Sequence, residues 1–258
     1  MTKKYRTSTL PLVISSIVLL SGCAGTPHHS VHKQGASRAN SQLAGDYLRR
    51  GDLNQATRFF KKSLKFKHHN VGALWGLAIT NSRKGNTKRA RHYYKKAMAV
   101  HSKPALVNSY AAFLCQHGKP QKAIQLFKQA ANDAHYDHPG KALANAGLCL
   151  AKQGHTGRSR HLYQKALRKN QNQPMALTQM ARMDLNKGDA AKAFSYAQRI
   201  VQHDALNPGQ MKLIARIDRA AGHHQKAVKM VKLFNQRNHG HLSMKKLGRM
   251  TPNQSTGS

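Results

Sequence analysis

Apolar and polar positions along this chain follow two different patterns. Near the start, Leu10 to Leu20 form one apolar run of eleven residues, preceded by Lys3, Lys4 and Arg6. Residues 24–36 are small and polar with no apolar periodicity, and they read as a flexible tether. From about residue 37 the pattern becomes periodic. A glycine in a polar turn recurs at Gly51, Gly85, Gly118, Gly154, Gly188 and Gly222, at intervals of 34, 33, 36, 34 and 34 residues. Seven residues before each stands Ala44, Ala78, Ala111, Gly147, Ala181 or Ala215, and five after each stands Ala56, Ala90, Ala123, Ser159, Ala193 or Ala227. Nine after, the first four repeats place an aromatic: Phe60, Tyr94, Phe127 and Tyr163.

Each residue type has a physical reason. Small residues at two fixed positions let paired helices approach closely. Glycine ends the first helix, where a left-handed backbone turn costs no Cβ clash. The aromatic fills the gap towards the next pair. One pair cannot bury its own face, so stacked pairs share a continuous core. The spacing matches the tetratricopeptide repeat, a helix–turn–helix unit of about 34 residues. The predicted fold is all-α, an α-solenoid superhelix of six such repeats over 37–70, 71–103, 104–139, 140–173, 174–207 and 208–241. The third repeat is two residues longer than the 34-residue unit, with its extra length around Asp133 to Gly140. Repeats five and six carry Ala197 and Val231 at the aromatic position, as expected of atypical terminal repeats. Residues 242–258 turn polar and are expected to be a disordered tail.

The N-terminal pattern is an address. Eleven apolar residues match a secretory h-region, whereas a spanning helix needs about 20. The run closes on Leu20-Ser21-Gly22-Cys23, which resembles the lipobox of bacterial lipoproteins. The resemblance implies a signal peptide over 1–22, cleavage before Cys23, and acylation of the Cys23 thiol and new N-terminus, with 23–36 as the lipidated tether. Ala24, rather than Asp, directs such a protein to the periplasmic face of the outer membrane. An ordinary signal peptide with a chance cysteine is the plainer alternative.

Composition narrows the function classes. The chain has 44 Lys plus Arg against eight Asp and no Glu, for a formal net charge of +36; without Lys3, Lys4 and Arg6 it carries +33. That charge attracts polyanions. An exported protein meets an anionic membrane or an acidic partner before nucleic acid. The basic residues are spread over all repeats, which equally suits a general compositional bias. No Gly-rich phosphate loop, nucleophile elbow or zinc-protease motif is present, and paired-carboxylate chemistry is implausible without Glu. The protein is therefore expected to be no enzyme and to need no cofactor. His28-His29, His68-His69 and His223-His224 are adjacent pairs that cannot share a helix face, so metal binding is not expected.

The candidate site is a surface. Residues ten, six and three before each turn glycine should line a concave groove. Repeat one offers Ser41, Gly45 and Leu48. Repeat two offers Trp75, Ile79 and Ser82, and repeat four offers Ala144, Leu148 and Ala151. Trp75 is the single tryptophan, suited to anchoring a partner segment or to packing between repeats. Arg182, Lys212, Arg216 and Arg219 should make the far end of the groove basic and steer an acidic partner. Cys115 and Cys149 fall late on the first helices of adjacent repeats. They could staple those repeats or remain buried thiols.

One block is more specific than the repeat. Asn108-Ser109-Tyr110-Ala111-Ala112-Phe113-Leu114-Cys115, then Gly118, is followed by Tyr136-Asp137-His138-Pro139 and by Lys141-Ala142-Leu143-Ala144-Asn145-Ala146-Gly147-Leu148-Cys149. This block resembles the type IV pilus biogenesis and stability lipoproteins of the PilF/PilW family, and the resemblance extends over about 37–240. It implies an outer-membrane lipoprotein with six repeats that acts as a pilotin, helping the secretin reach the outer membrane and assemble into its ring. It also implies a disulfide between Cys115 and Cys149. The family does not require so large a positive charge. Two other readings stand beside this one: a repeat scaffold for another envelope machine, such as the tight-adherence pilus, and an envelope protein that binds polyanions.

Overall fold

The computed structural model describes residues 28–203, 206–238 and 242–249. Its helices are α1 (His28–Arg50), α2 (Leu53–Phe66), α3 (Val71–Arg83), α4 (Thr87–Val100), α5 (Pro104–Gln116), α6 (Pro120–Asn132), α7 (Pro139–Ala151), α8 (Thr156–Lys169), α9 (Pro174–Asn186), α10 (Ala190–His203), α11 (Pro208–Ala220), α12 (His224–Asn238) and α13 (Met244–Arg249). There is no strand among the described residues. The fold is an all-α solenoid: α1 pairs with α2, α3 with α4, and so on to α11 with α12.

Local chemistry sets the boundaries. All six turn glycines have φ between 73° and 85°. At the first, the Gly51 N–H donates to the Leu48 carbonyl and the Asp52 N–H to the Tyr47 carbonyl, which closes the end of α1. The same pair of bonds recurs at Gly85, Gly154, Gly188 and Gly222. Helix starts are capped by side chains: Asp52 accepts from the N–H groups of Asn54 and Gln55, Asn70 from Ala73, and Asn207 with Gln210 forms a capping box. Proline opens α5, α6, α7, α9 and α11, where its missing N–H would have no helical partner anyway.

The two small-residue series are fully buried, as close helix pairing requires. The four aromatics are buried as well. The Phe60 ring occupies the space where a Cβ on Gly76 would stand, and the Tyr163 ring does the same against Gly147. The extra length of repeat three folds back inward: Tyr136 is buried, and its hydroxyl accepts from Asn108 Nδ2 at 3.2 Å. Asn145 Nδ2 in turn donates to Asn108 Oδ1 at 3.0 Å, which ties α7 to α5. Where Ala197 replaces the aromatic in repeat five, a cavity of about 410 Å³ opens between α10, α11 and α12.

Two expectations are corrected at the ends. α1 begins at His28, so residues 28–36 are helix and not tether. Polar contacts tie the next turn of α1 to α2 and to the start of α3. The hydroxyl of Ser37 is buried and lies 3.0 Å from both the Ser63 carbonyl and the Ser63 hydroxyl, and Asn70 Nδ2 donates to Ser37 Oγ at 2.9 Å. An apolar period cannot reveal such a contact. At the other end Leu242 is buried with Met211, Ala215, Val231 and Phe234, and exchanges hydrogen bonds of 2.8 and 2.9 Å with the Asn235 amide. The helix α13 follows, so residues 242–249 are ordered structure rather than tail. Among the described residues, no helix is long and apolar enough to cross a membrane.

Candidate partner-binding groove

The first helices of successive repeats touch one another: α1 meets α3, α5 meets α7, α7 meets α9 and α9 meets α11. The second helices pack mainly on these. The face shared by the first helices is therefore the inner one. On it, α1 and α3 bound a cleft of about 760 Å³ lined by Ser41, Gly45, Trp75, Ile79, Val71 and Val100, among others. Arg38 and His69 stand at its rim. Gly45, which carries no side chain, is part of the α1 wall, with Gln34, Arg38 and Gln42 beside it.

Trp75 serves both the cleft and the core. It is half-buried and packs against the cluster of Leu74, Tyr94 and Leu106 while its other side lines the cleft. Its indole N–H donates to Ser109 Oγ at 3.0 Å, and that oxygen lies 3.0 Å from Tyr94 Oη. Burial pushes the Tyr94 phenol up, and its bond to Ser109 partly offsets this. Ser109 thus fixes the rotamer of Trp75 from the next repeat. Its register, one residue past the Trp75 position, gave no hint of that role.

Other expected groove residues are placed differently. Leu48 is a core residue: it packs with Ala44, Ala56, Phe60 and Leu77, and Arg83 Nη1 donates to its carbonyl at 2.8 Å. The position three before the turn glycine therefore turns inward in repeat one, and Leu48 offers no surface to a partner. Ala144 is likewise buried, beside Tyr163 and Met180. Leu148 is half-buried on α7, and Ile79 is half-buried beside Trp75. Lys212 Nζ lies 5.1 Å from the centre of the Phe234 ring on α12. Arg219 donates to the Met244 carbonyl at 3.2 Å.

Arg182 on α9 and Arg216 on α11 occupy the same register as Gly45, Ile79 and Leu148. Both are half-buried. Burial lowers the pKa of Arg182, partly offset by Tyr163, and lowers that of Arg216, with Arg182 adding repulsion. A neighbouring ion pair was not foreseen: Arg160 Nη2 lies 2.6 Å from Asp184 Oδ1, with the Asp184 side chain almost wholly buried. Cys115 and Cys149 are joined as a disulfide with their Cα atoms 5.9 Å apart, linking α5 to α7. Among the described residues, no group of three His, Cys or Asp side chains could hold a metal ion. Cys23 lies outside the described residues.

No protein-family model matches the chain. Among curated proteins, it is 27% identical over 212 residues to the type IV pilus assembly protein PilF of Pseudomonas aeruginosa, covering 80% of this chain and 84% of that one. The chain is homologous to PilF. The solved structure of PilW, described as a widely conserved type IV pilus biogenesis factor, superposes with a TM-score of 0.66 and 26% identity, over 83% of this chain and 98% of that one. A Pseudomonas aeruginosa PilF structure superposes with a TM-score of 0.69 at 24% identity, covering 84% and 97% of the two chains, which adds to the evidence for the shared repeat fold.

Proposed function

We propose that this protein is an outer-membrane lipoprotein of type IV pilus biogenesis that acts as a pilotin and scaffold for the secretin. The observation that carries the reading is the homology to PilF across four fifths of the chain. The likeness to PilW and the leader-like residues 1–22 followed by Cys23 support it. In this mechanism no covalent chemistry is needed. The groove of repeats one and two, built around Trp75 and Ile79, holds a segment of the secretin subunit, and the lipid on Cys23 carries the complex to the outer membrane. A lasting anchor takes more than one acyl chain, each contributing about 0.8 kcal/mol per buried methylene.

Two comparisons test it. Deletion of the gene is expected to leave secretin monomers and to abolish surface pili; normal secretin multimers in the deletion strain would sink the reading. In pull-downs from envelope membranes, Trp75→Ala is expected to lose the secretin while staying in the outer membrane. Cys23→Ala is expected to keep the secretin but mislocalise with it.

A further inference from the structure

Arg182 and Arg216 pose a problem that the fold itself does not solve. An arginine cannot shed its proton in a protein, so both remain charged. Arg182 Nε and Arg216 Nη1 are buried, and neither has a hydrogen-bond acceptor among the described residues. No carboxylate of the described residues pairs with either guanidinium within 4.0 Å. Asp184, two residues along α9 from Arg182, pairs with Arg160 through Oδ1; its Oδ2 is buried and unpartnered, and neither oxygen comes within 4.0 Å of either guanidinium. The Tyr163 hydroxyl, close enough to Arg182 for each to shift the other, is buried in the core beside the Ser159 hydroxyl and supplies no negative charge. A chain with 44 basic residues, eight Asp and no Glu has few internal anions to supply. Half-buried like charges with unmet donors are costly unless an anion completes them.

The positions say what kind of anion. Both arginines stand six residues before a turn glycine, the register that holds Gly45 and Ile79 at the apolar cleft. A segment lying along this face meets apolar walls at repeats one and two and unpaired donors at repeats five and six. The planar fork of arginine matches a carboxylate in two parallel hydrogen bonds. We propose that Arg182 and Arg216 form an oxyanion receptor for an Asp or Glu side chain of a partner protein segment seated in the groove. The assignment rests on the groove being the binding face, and it adds an acidic residue that the partner must present at this end.

The test uses the full chain and a labelled, end-capped hexaglutamate peptide. Arg182→Gln/Arg216→Gln is expected to weaken peptide binding about tenfold or more. Lys61→Gln/Lys62→Gln, which removes two exposed charges from α2, is expected to change it less than about twofold, as for rim charges. Equal losses in the two double variants would reduce the effect to net charge and overturn the proposal. Vesicles of phosphatidylcholine with phosphatidylglycerol form a second arm: loss of vesicle binding with peptide binding intact would assign the pair to a lipid headgroup instead, and overturn it too. A third readout needs no ligand. Arg216→Gln is expected to raise the thermal midpoint of the free protein, because it removes one of two like charges. A lowered midpoint would mark Arg216 as a structural residue and defeat the assignment. None of these outcomes depends on the secretin pull-down, so this proposal and the pilotin reading can fail separately.

Discussion

The indole N–H of Trp75 on α3 donates to the hydroxyl of Ser109 on α5, across a repeat boundary, at 3.0 Å. The same hydroxyl meets Tyr94 Oη on α4 at 3.0 Å, so three helices converge on one oxygen at the edge of the cleft. Ser109→Ala removes that oxygen. The expected loss is about 1 kcal/mol of stability, the ordinary net worth of such a bond. Because Trp75 is the single tryptophan, its emission should shift as the ring is released. Urea unfolding followed by tryptophan fluorescence reads both effects, and an unchanged spectrum would mean that packing alone holds the ring.

The two close approaches of ring and backbone make a second prediction. A Cβ on Gly147 would stand 2.7 Å from Tyr163 Cε1, and the ring is enclosed by Ala144, Ala166, Ala176 and Met180. With nowhere for the ring to move, Gly147→Ala should cost about 2 kcal/mol. Gly157 on α8 is the control, since no atom lies within 4 Å of its would-be Cβ. Gly157→Ala should be neutral or stabilise by up to about 0.5 kcal/mol. Paired thermal unfolding of the two variants separates a ring clash from a general effect of glycine replacement.

The disulfide spans 34 residues of sequence. Closing a loop of that size in the unfolded chain stabilises the native state by about 2–4 kcal/mol. Cys115→Ala/Cys149→Ala should lower the urea midpoint accordingly. Dithiothreitol should lower the wild-type midpoint towards that of the variant and leave the variant unchanged. A midpoint indifferent to reductant would show that the helix contacts suffice.

Asp218 gives stability a pH dependence of unusual sign. Its carboxyl is buried at the base of the cavity beside Ala197, and burial raises its pKa, with Lys226 and His223 opposing. At a pH below the ordinary carboxylate value, near about 3.9, folded and unfolded states both hold the proton and no penalty arises. As pH climbs through the window up to the raised folded value, the unfolded chain ionises first and stability falls. Above that window the penalty is complete. Asp189, whose pKa is lowered by its bonds to Lys192, acts in the opposite direction as pH falls. The difference between wild type and Asp218→Asn isolates the effect: the variant should be the more stable above the window, with the gap closing as pH drops. A gap that widens at low pH would refute the argument.

The repeat register was legible because each of its markers answers a local demand. Gly51 and its five counterparts take a backbone angle that other residues resist. Ala44 and Ala56 sit where two helix backbones nearly touch. Such demands are met within one helix pair, so a fixed spacing exposes them. Trp75 was visible as a large aromatic on the groove face, but its tie to Ser109 was not, because that bond joins residues 34 apart.

The sequence by itself therefore determined the solenoid and its six helix pairs. Tertiary structure alone decided the rest. It continued α1 back to His28, joined the hydroxyls of Ser37 and Ser63, seated Leu242 against the last pair, and turned Leu48 into the core. It also left Arg182 and Arg216 without a carboxylate while giving Asp184 to Arg160. Periodicity records which face of a helix is covered. Which polar groups find partners depends on neighbours a repeat or more away, and only the packed chain brings those together.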